Sequence, residues 1–598
     1  MRQKLVIFDF IILIILLFVT ISAALYFYPF AMEIPHRDSG IYLYLGKEIN
    51  IGKTIYLEVW ENKPPFIFFI NALGLTLGNG SPWGVWGLEV VFLFTALLII
   101  YITVRGRLNP LSSILIVMAT FLATFQYISG NFTEEYSLVF QAFLIYTFLN
   151  LKKGEVNKLS HFFIGVLTGI IFNIKQTYID VSIAIIILML IDSIINRKRN
   201  NLINLVYICL GFLLPNLLII IYMLVKGALE AFWQAAYVFN FAYSNIGLME
   251  KFRALVNVIK TNSKYPFFVM MLIVWLAGVF GLLLKNSLKR LEFLAQPKRR
   301  PLLLLLGFVL LVLLIASQLI SNNSYLGILD GTLLILTVLS FILFFITSLR
   351  IIKKLTKWYD HAIERTKLGK VSIGITELPT PLLLGIINLP IVMFLVVTSG
   401  RNYPHYFTTF FPSFFLLFYG SILLINKIQK LKIWRIITSS ILISLFIFGA
   451  IKPVQKIVRG MGGPYTYNPF RQLVKYVQDY STENDTVMVW SLESRLNYLS
   501  DRSSPTRYSN VHPAYLNSPI KEIAQKTIYE EITSRLPIFI LDMKSPEYPF
   551  IEGMSQSDCL SAYHSEDSYL DKTIYFVCQN YMYTGQIDGI DVYKLIEK

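Results

Sequence analysis

The chain has 598 residues, 55% hydrophobic and 15% charged, whereas a soluble protein carries about 25% charged residues. The shortfall excludes an ordinary soluble fold and points to a surface that faces lipid. A formal charge of +16 suits a nucleic-acid partner in a soluble protein, but here the basic residues fall in short loops between apolar runs, as the positive-inside rule requires, so none is expected.

In chain order, the first apolar run, 7–30, is too long for a signal-peptide core and has no small-residue cleavage site, so it reads as a retained span. Runs of spanning length follow at 84–104, 111–128, 136–151, 160–174, 178–195, 203–224, 266–285, 301–320, 327–348, 380–398, 406–426 and 435–452. The expected fold is a polytopic α-helical membrane protein with about thirteen transmembrane helices. The stretch 66–78 is short and reads as a re-entrant or interfacial helix. With the N-terminus cytoplasmic, the basic loops at Arg105 and Arg107, Lys152 to Lys158, Arg197 to Arg199, Lys285 to Arg300, Arg350 to Lys370 and Lys427 to Arg435 all fall on one side. An odd span count then leaves the tail outside.

That gives two expected domains, a membrane domain over 1–452 and an extracytoplasmic domain over 453–598. In the tail, 486–490 and 536–541 read as strands and 520–534 as a helix, the pattern of a small α/β domain. Cys559 and Cys578 lie there without metal-ligand spacing, and an oxidising compartment would pair them. Cys209 lies inside an apolar span and reads as an inert core residue.

The loops expected outside carry the chemistry. The first, 31–83, reads His36-Arg37-Asp38-Ser39-Gly40-Ile41-Tyr42 and later Glu61-Asn62-Lys63-Pro64-Pro65. Ile41, Leu45 and Ile49 recur every four residues, the mark of an amphipathic helix lying in the membrane interface. Asp38 reads equally as the N-cap of that helix and as a carboxylate facing a cavity. The two prolines stiffen the chain and hold Lys63 at the surface. Glu134, Glu135 and Tyr136 join spans 3 and 4, and Lys175 with Gln176 joins spans 5 and 6. Arg401, His405 and Tyr406 join spans 11 and 12. Ionisable groups at span ends are costly unless they line a polar cavity, and acids beside bases on one face suit an anionic ligand and a hydroxyl. The aromatic stretch 229–237 reads as a lid or as part of the aromatic belt.

In order and spacing these residues resemble the GT-C-fold glycosyltransferases that use polyprenyl-phosphate sugars, the protein O-mannosyltransferase and aminoarabinose transferase group. The matching elements are Asp38 with Tyr42, Glu61 to Pro65, Thr133 to Tyr136, Lys175-Gln176, and Arg401 with His405-Tyr406. The resemblance implies sugar transfer from a polyprenyl-phosphate donor to an acceptor hydroxyl on a glycan, lipid or protein, at the outer face of the plasma membrane. It implies Asp38 as general base, Lys63, Arg401 and Lys175 as holders of the donor phosphate, and Tyr42, Glu61, Glu134, Glu135, His405 and Tyr406 as orienting residues. Many members have two adjacent acids in the first loop, but here Ser39 follows Asp38, which leaves divalent-metal dependence open. A polysaccharide polymerase or ligase shares the donor but usually lacks a sizeable outside domain. A transporter or flippase should show internal repeats and mid-span charges, and neither is evident.

Overall fold

In the computed structural model, the described residues are 2–27, 37–124, 130–151, 155–195, 200–263, 266–291, 378–401, 403–428, 469–551, 556–562 and 568–596. The expected spans at 301–320, 327–348 and 435–452, and the domain boundary near 452, lie outside them. The chain divides into two compact units, Met1–Met271 with Thr380–Lys598, and Leu272–Pro379. The second is described only at 272–291, inside one helix, and at 378–379.

The fold of the first unit is mostly helical. Its helices are α1 (Arg2–Phe27), α2 (Arg37–Asn50), α3 (Phe66–Leu77), α4 (Trp83–Arg105), α5 (Pro110–Thr124), α6 (Thr133–Asn150), α7 (Lys158–Ile174), α8 (Asp180–Ile195), α9 (Asn200–Val225), α10 (Leu229–Trp233), α11 (Asn240–Ser244) and α12 (Leu248–Ser263). Helix α13 (Pro266–Leu291) follows, then α14 (Thr380–Val396) and α15 (Phe411–Ile428). Among the described residues, Trp83–Arg105, Asn200–Val225 and His405–Leu424 are long and apolar enough to cross a membrane, and Leu248–Ser263 with Phe267–Val279 qualifies only as a bent pair. Helix α9 leaves Leu210, Leu213, Leu217 and Leu224 exposed, a face that suits lipid. Cys209 is exposed too, so it is not the core residue expected. On its other side α9 crosses α7 closely. A Cβ on Gly165 would sit 2.0 Å from the Ile208 carbonyl oxygen, and one on Gly211 2.0 Å from that of Phe162. Small residues let helix backbones approach this way in membranes.

The C-terminal part adds α16 (Arg471–Asp479), β1 (Val487–Trp490), α17 (Arg495–Ser500), α18 (His512–Tyr515), α19 (Lys521–Arg535), β2 (Phe539–Asp542), α20 (Gln556–Ala562), α21 (Tyr569–Asn580), β3 (Tyr581–Ile587) and β4 (Ile590–Leu595). The sheet order is β1-β2-β4-β3, with β1 and β2 parallel and the other pairs antiparallel. Strands β1 and β2 are buried at every position, as apolar runs covered on both faces must be. Cys559 and Cys578 form a disulfide joining α20 to α21.

Helix α2 departs from expectation. Ser39 to Gly46 are all buried, and so is Glu48. The helix packs on α3 on one side and on the C-terminal part on the other, so its apolar face is covered by protein. The Tyr44 hydroxyl accepts the Ser504 N–H (2.9 Å) and Ser503 donates to Glu48 (2.8 Å). Its four-residue repeat is satisfied by protein rather than lipid, because the second apolar face of α2 meets residues more than 400 positions away.

Candidate active site

The first loop is braced before it presents any charge. The Tyr56 hydroxyl donates to the Lys63 carbonyl oxygen (2.7 Å). Pro65 then precedes α3, where a missing N–H costs nothing because the first helical turn has no partner for it. Trp60 donates its backbone N–H to the Arg507 carbonyl (2.7 Å), and its ring packs on Phe239 and Tyr508 at 5.1 and 5.4 Å. Asn62 and Asn240 bond through their side chains (2.9 Å) and through the Asn62 carbonyl (2.7 Å). The segment from α10 to α11, continuous through a π-helical turn at Gln234–Phe239, therefore covers the loop.

These elements enclose a cavity of about 900 Å³. Asp38, Tyr42, Glu61 and Lys63 line it, with Lys175, Arg401, His405 and Tyr406. Asp38 is the second residue of α2, in its first turn. The Lys63 ammonium stands 3.8 Å from Asp38 and 3.6 Å from Glu61, and 5.2 Å from the centre of the Tyr42 ring. Burial works against the charge on Lys63, but Tyr42, Asp38 and Glu61 outweigh it and hold its pKa well above the ordinary lysine value. Lys63 is thus a fixed cation. Glu61 moves the other way from most paired acids: burial raises its pKa, with Lys63 opposing.

Lys175 sits between α7 and the short turn Gln176–Tyr178. Its ammonium donates to the Tyr178 hydroxyl (2.9 Å), lies 3.6 Å from Glu134, and covers the Tyr406 ring at 4.4 Å. Burial lowers its pKa, with Glu134 opposing. Two lysines on one cavity are therefore tuned in opposite directions. Arg401 donates to the Tyr403 hydroxyl (3.2 Å) and lies over the Tyr243 ring at 5.4 Å.

Two expected residues are not on the wall. Glu134 lies one layer behind, where it accepts from Tyr178 and Thr133 and stands 3.9 Å from His405 Nε2. Glu135 turns away: its carboxylate accepts the Phe132 N–H (3.0 Å) and closes the start of α6. Among the described residues, no group of three or more His, Cys, Asp or Glu side chains comes together as a metal site would require; Asp38 and Glu61 share Lys63 instead.

The sequence reading missed part of the cavity. Arg37 precedes Asp38 and contacts it at 3.7 Å. The C-terminal part contributes Glu493, Arg495, Asn510, His512, Glu547 and Tyr548. No local motif marks these six; they meet the first loop only through tertiary packing. Glu493 and Arg495 pair through two contacts, one of them 2.8 Å, and the His512 imidazole bonds the Tyr548 hydroxyl at 2.9 Å.

Residues 62–222 match the model of the family described as dolichyl-phosphate-mannose-protein mannosyltransferase. Comparison with curated protein sequences finds no match. Among solved structures, ArnT from Cupriavidus metallidurans in the apo state aligns at 11% identity and a TM-score of 0.42, over 99% of this chain and 98% of that one. The same enzyme bound to undecaprenyl phosphate aligns at 12% and 0.38, over 100% and 98%. Likenesses this weak establish no shared activity. The family match holds Lys63, Glu134 and Lys175, whereas Asp38, Glu61 and Arg401 lie beyond its ends. The chain resembles the polyprenyl-phosphate-sugar-dependent membrane glycosyltransferases of GT-C fold.

Proposed function

We propose that this protein transfers a sugar from a polyprenyl-phosphate donor to an acceptor hydroxyl on the extracytoplasmic face of the plasma membrane. The observation that carries this reading is Lys63 standing within 4 Å of both Asp38 and Glu61 on the cavity wall. A base and a fixed cation side by side are what the reaction needs. The acceptor O–H gives its proton to Asp38 as its oxygen bonds the anomeric carbon. The bond from that carbon to the phosphate oxygen breaks, and its electron pair leaves with the phosphate. Lys63, Arg401 and Lys175 meet the growing charge. A single displacement inverts the anomeric centre. Glu61 orients Lys63, and Glu134 holds Lys175 and His405 from behind. The apolar sides of α3 and of the first loop offer a path for the prenyl chain.

In this reading residues 1–452 form the membrane domain, the N-terminus is cytoplasmic, and the domain over 453–598 lies outside. The test of function is release and transfer of labelled sugar by the purified protein from a panel of polyprenyl-phosphate sugars. Turnover of at least one donor is expected, and no turnover of any would defeat the reading. The side is tested separately by cysteine labelling. Cysteines at Ser160 and Asn196 should be shielded from an impermeant reagent and one at Ser481 labelled; labelling of position 481 only after permeabilisation reverses the orientation.

A further inference from the structure

We propose that helix α12 docks on the lipid leaflet beside the cavity: its exposed apolar stripe rests among the lipid chains, and Arg253 and Lys260 hold anionic head groups at the edge of that stripe. The proposal takes nothing from the sugar chemistry above. It rests on how Leu248–Ser263 distributes its side chains when wound at about 3.6 residues per turn. Three stripes result. Ala254, Val258 and Asn262, four residues apart, are buried against the protein. Asn262 gives its amide to the Val258 carbonyl oxygen of the same helix (2.8 Å), so the one amide on that face is satisfied locally. Leu248, Met249 and Phe252 are 84, 63 and 60% exposed, and half-buried Val256 and Ile259 continue their line. Glu250, Arg253, Asn257, Lys260 and Thr261 form the third stripe, and all five are exposed.

A helix between a protein core and water shows two faces. A third face, apolar and exposed, calls for a third medium. The chain already turns Leu210, Leu213, Leu217 and Leu224 of α9 outwards, and lipid is the medium that suits both. The order of the polar residues then selects the kind of lipid. On a helix, residues three and four positions apart touch. Arg253 follows Met249 by four and precedes Val256 by three, and Lys260 follows Val256 by four, so both cations border the apolar stripe. Glu250, Asn257 and Thr261 have no member of that stripe at either spacing and lie farther round, towards water. Cations on the rim of a lipid-facing stripe stand at head-group depth, where long basic side chains reach up to charge. An anionic head group is the matching partner. The join between α11 and α12 also touches the site. A Cβ on Gly400 would lie 2.2 Å from Ile246 Cδ1, and the neighbouring Arg401 lies over the Tyr243 ring. A docked α12 therefore ties the cover of the cavity to the leaflet.

The experiment uses the purified full-length protein in nanodiscs of phosphatidylcholine and phosphatidylglycerol, with no donor. Cys209→Ser removes the exposed free thiol. In that background an NBD fluorophore is attached at Phe252→Cys on the apolar stripe or at Asn257→Cys on the polar one; Met249→Cys repeats the first reading with Phe252 in place. A nitroxide quencher is carried on the acyl chains of one lipid or the other, and a second quencher is water-soluble. The fluorophore at 252 is expected to be quenched from the lipid and protected from water, and that at 257 the reverse. The local ratio of anionic to neutral lipid at 252 should be roughly fivefold above the bulk ratio, the factor that one basic residue contributes near an anionic surface. Arg253→Gln with Lys260→Gln should return that ratio to bulk while 252 stays quenched from the lipid. Equal aqueous quenching at 252 and 257 would overturn the proposal. Protection of 252 from both quenchers would overturn it too, by placing protein, a second copy included, on the stripe. A bulk lipid ratio at 252 in the unsubstituted helix, or an enrichment that survives the double substitution, would defeat the assignment to anionic head groups.

Discussion

The stem of Arg495 crosses helix α2 at Gly40, two residues after Asp38. A Cβ built on Gly40 would lie 1.8 Å from Arg495 Cγ and 2.9 Å from its Cβ and Cδ. The glycine is needed for space and not for backbone freedom, since it sits in ordinary helix. The contact sets the C-terminal part against the residue assigned as the base.

Gly40→Ala should therefore cost roughly 1–3 kcal/mol, the range for an overpacked contact, and should lower sugar transfer. The clash is with the root of the arginine side chain, which has little freedom to move. Adding Arg495→Ala should recover part of the lost stability, because Cγ and Cδ are gone while Cβ remains. Denaturation midpoints of the single and double variants check this; strict additivity would mean the two residues do not meet.

Asp38→Asn should leave folding nearly unchanged, since asparagine serves the first turn of a helix about as well as aspartate. Transfer should fall by about two to four orders of magnitude. The measurement is turnover beside monodispersity in detergent. Wild-type turnover in the folded variant would move the base role to Glu61.

Lys63→Met removes the cation shared by Asp38 and Glu61. It should weaken donor binding and slow transfer together, because the charge-assisted contact to phosphate and the neutralisation of two carboxylates are lost at once. Lys63→Arg should restore only part, as a planar fork replaces a point charge. Donor affinity measured with a non-transferable analogue separates the two effects.

His512 gives the protein a pH signature. Burial and the nearby Arg401 hold its pKa down, from the ordinary 6.5 to about 4. Between those values the unfolded chain takes up a proton that the folded one refuses, so this contribution is fully present above pH 6.5 and is lost as pH falls towards 4. His512→Gln should flatten the melting-temperature profile across that window. An unchanged slope would mean His512 is not the titrating group.

Reduction of Cys559–Cys578, or replacement of both by serine, should destabilise the C-terminal part by roughly 3 kcal/mol in the chain-entropy model. Mass spectrometry of unreduced peptides should recover the linked pair. Two free thiols in the purified protein would remove the claim.

Much of this was readable locally. Helices α3, α4, α6, α7 and α9 follow from apolar runs and their polar breaks, and Pro64-Pro65 marks the start of α3 because proline suits a first turn and little else in a helix. Strands β1 and β2 and helix α19 follow from short apolar runs and helical spacing. Lys63, Lys175 and Arg401 stood out because charge at the end of an apolar run needs a polar cavity.

What the amino-acid order determined by itself was which segments are apolar enough for lipid and which chain ends carry charge, since both are set by neighbours a few positions apart. Tertiary structure alone decided the rest. Helix α2 has the repeat of an interfacial helix, yet burial by Ser503, Ser504 and Arg495 makes it an internal strut. Glu134 and Glu135 are adjacent in sequence, but one backs the cavity and the other closes a helix turn, because successive helical residues point about 100° apart. Arg37, Glu493, Asn510 and His512 meet across more than 400 residues, and no local pattern can encode a distance that only folding creates.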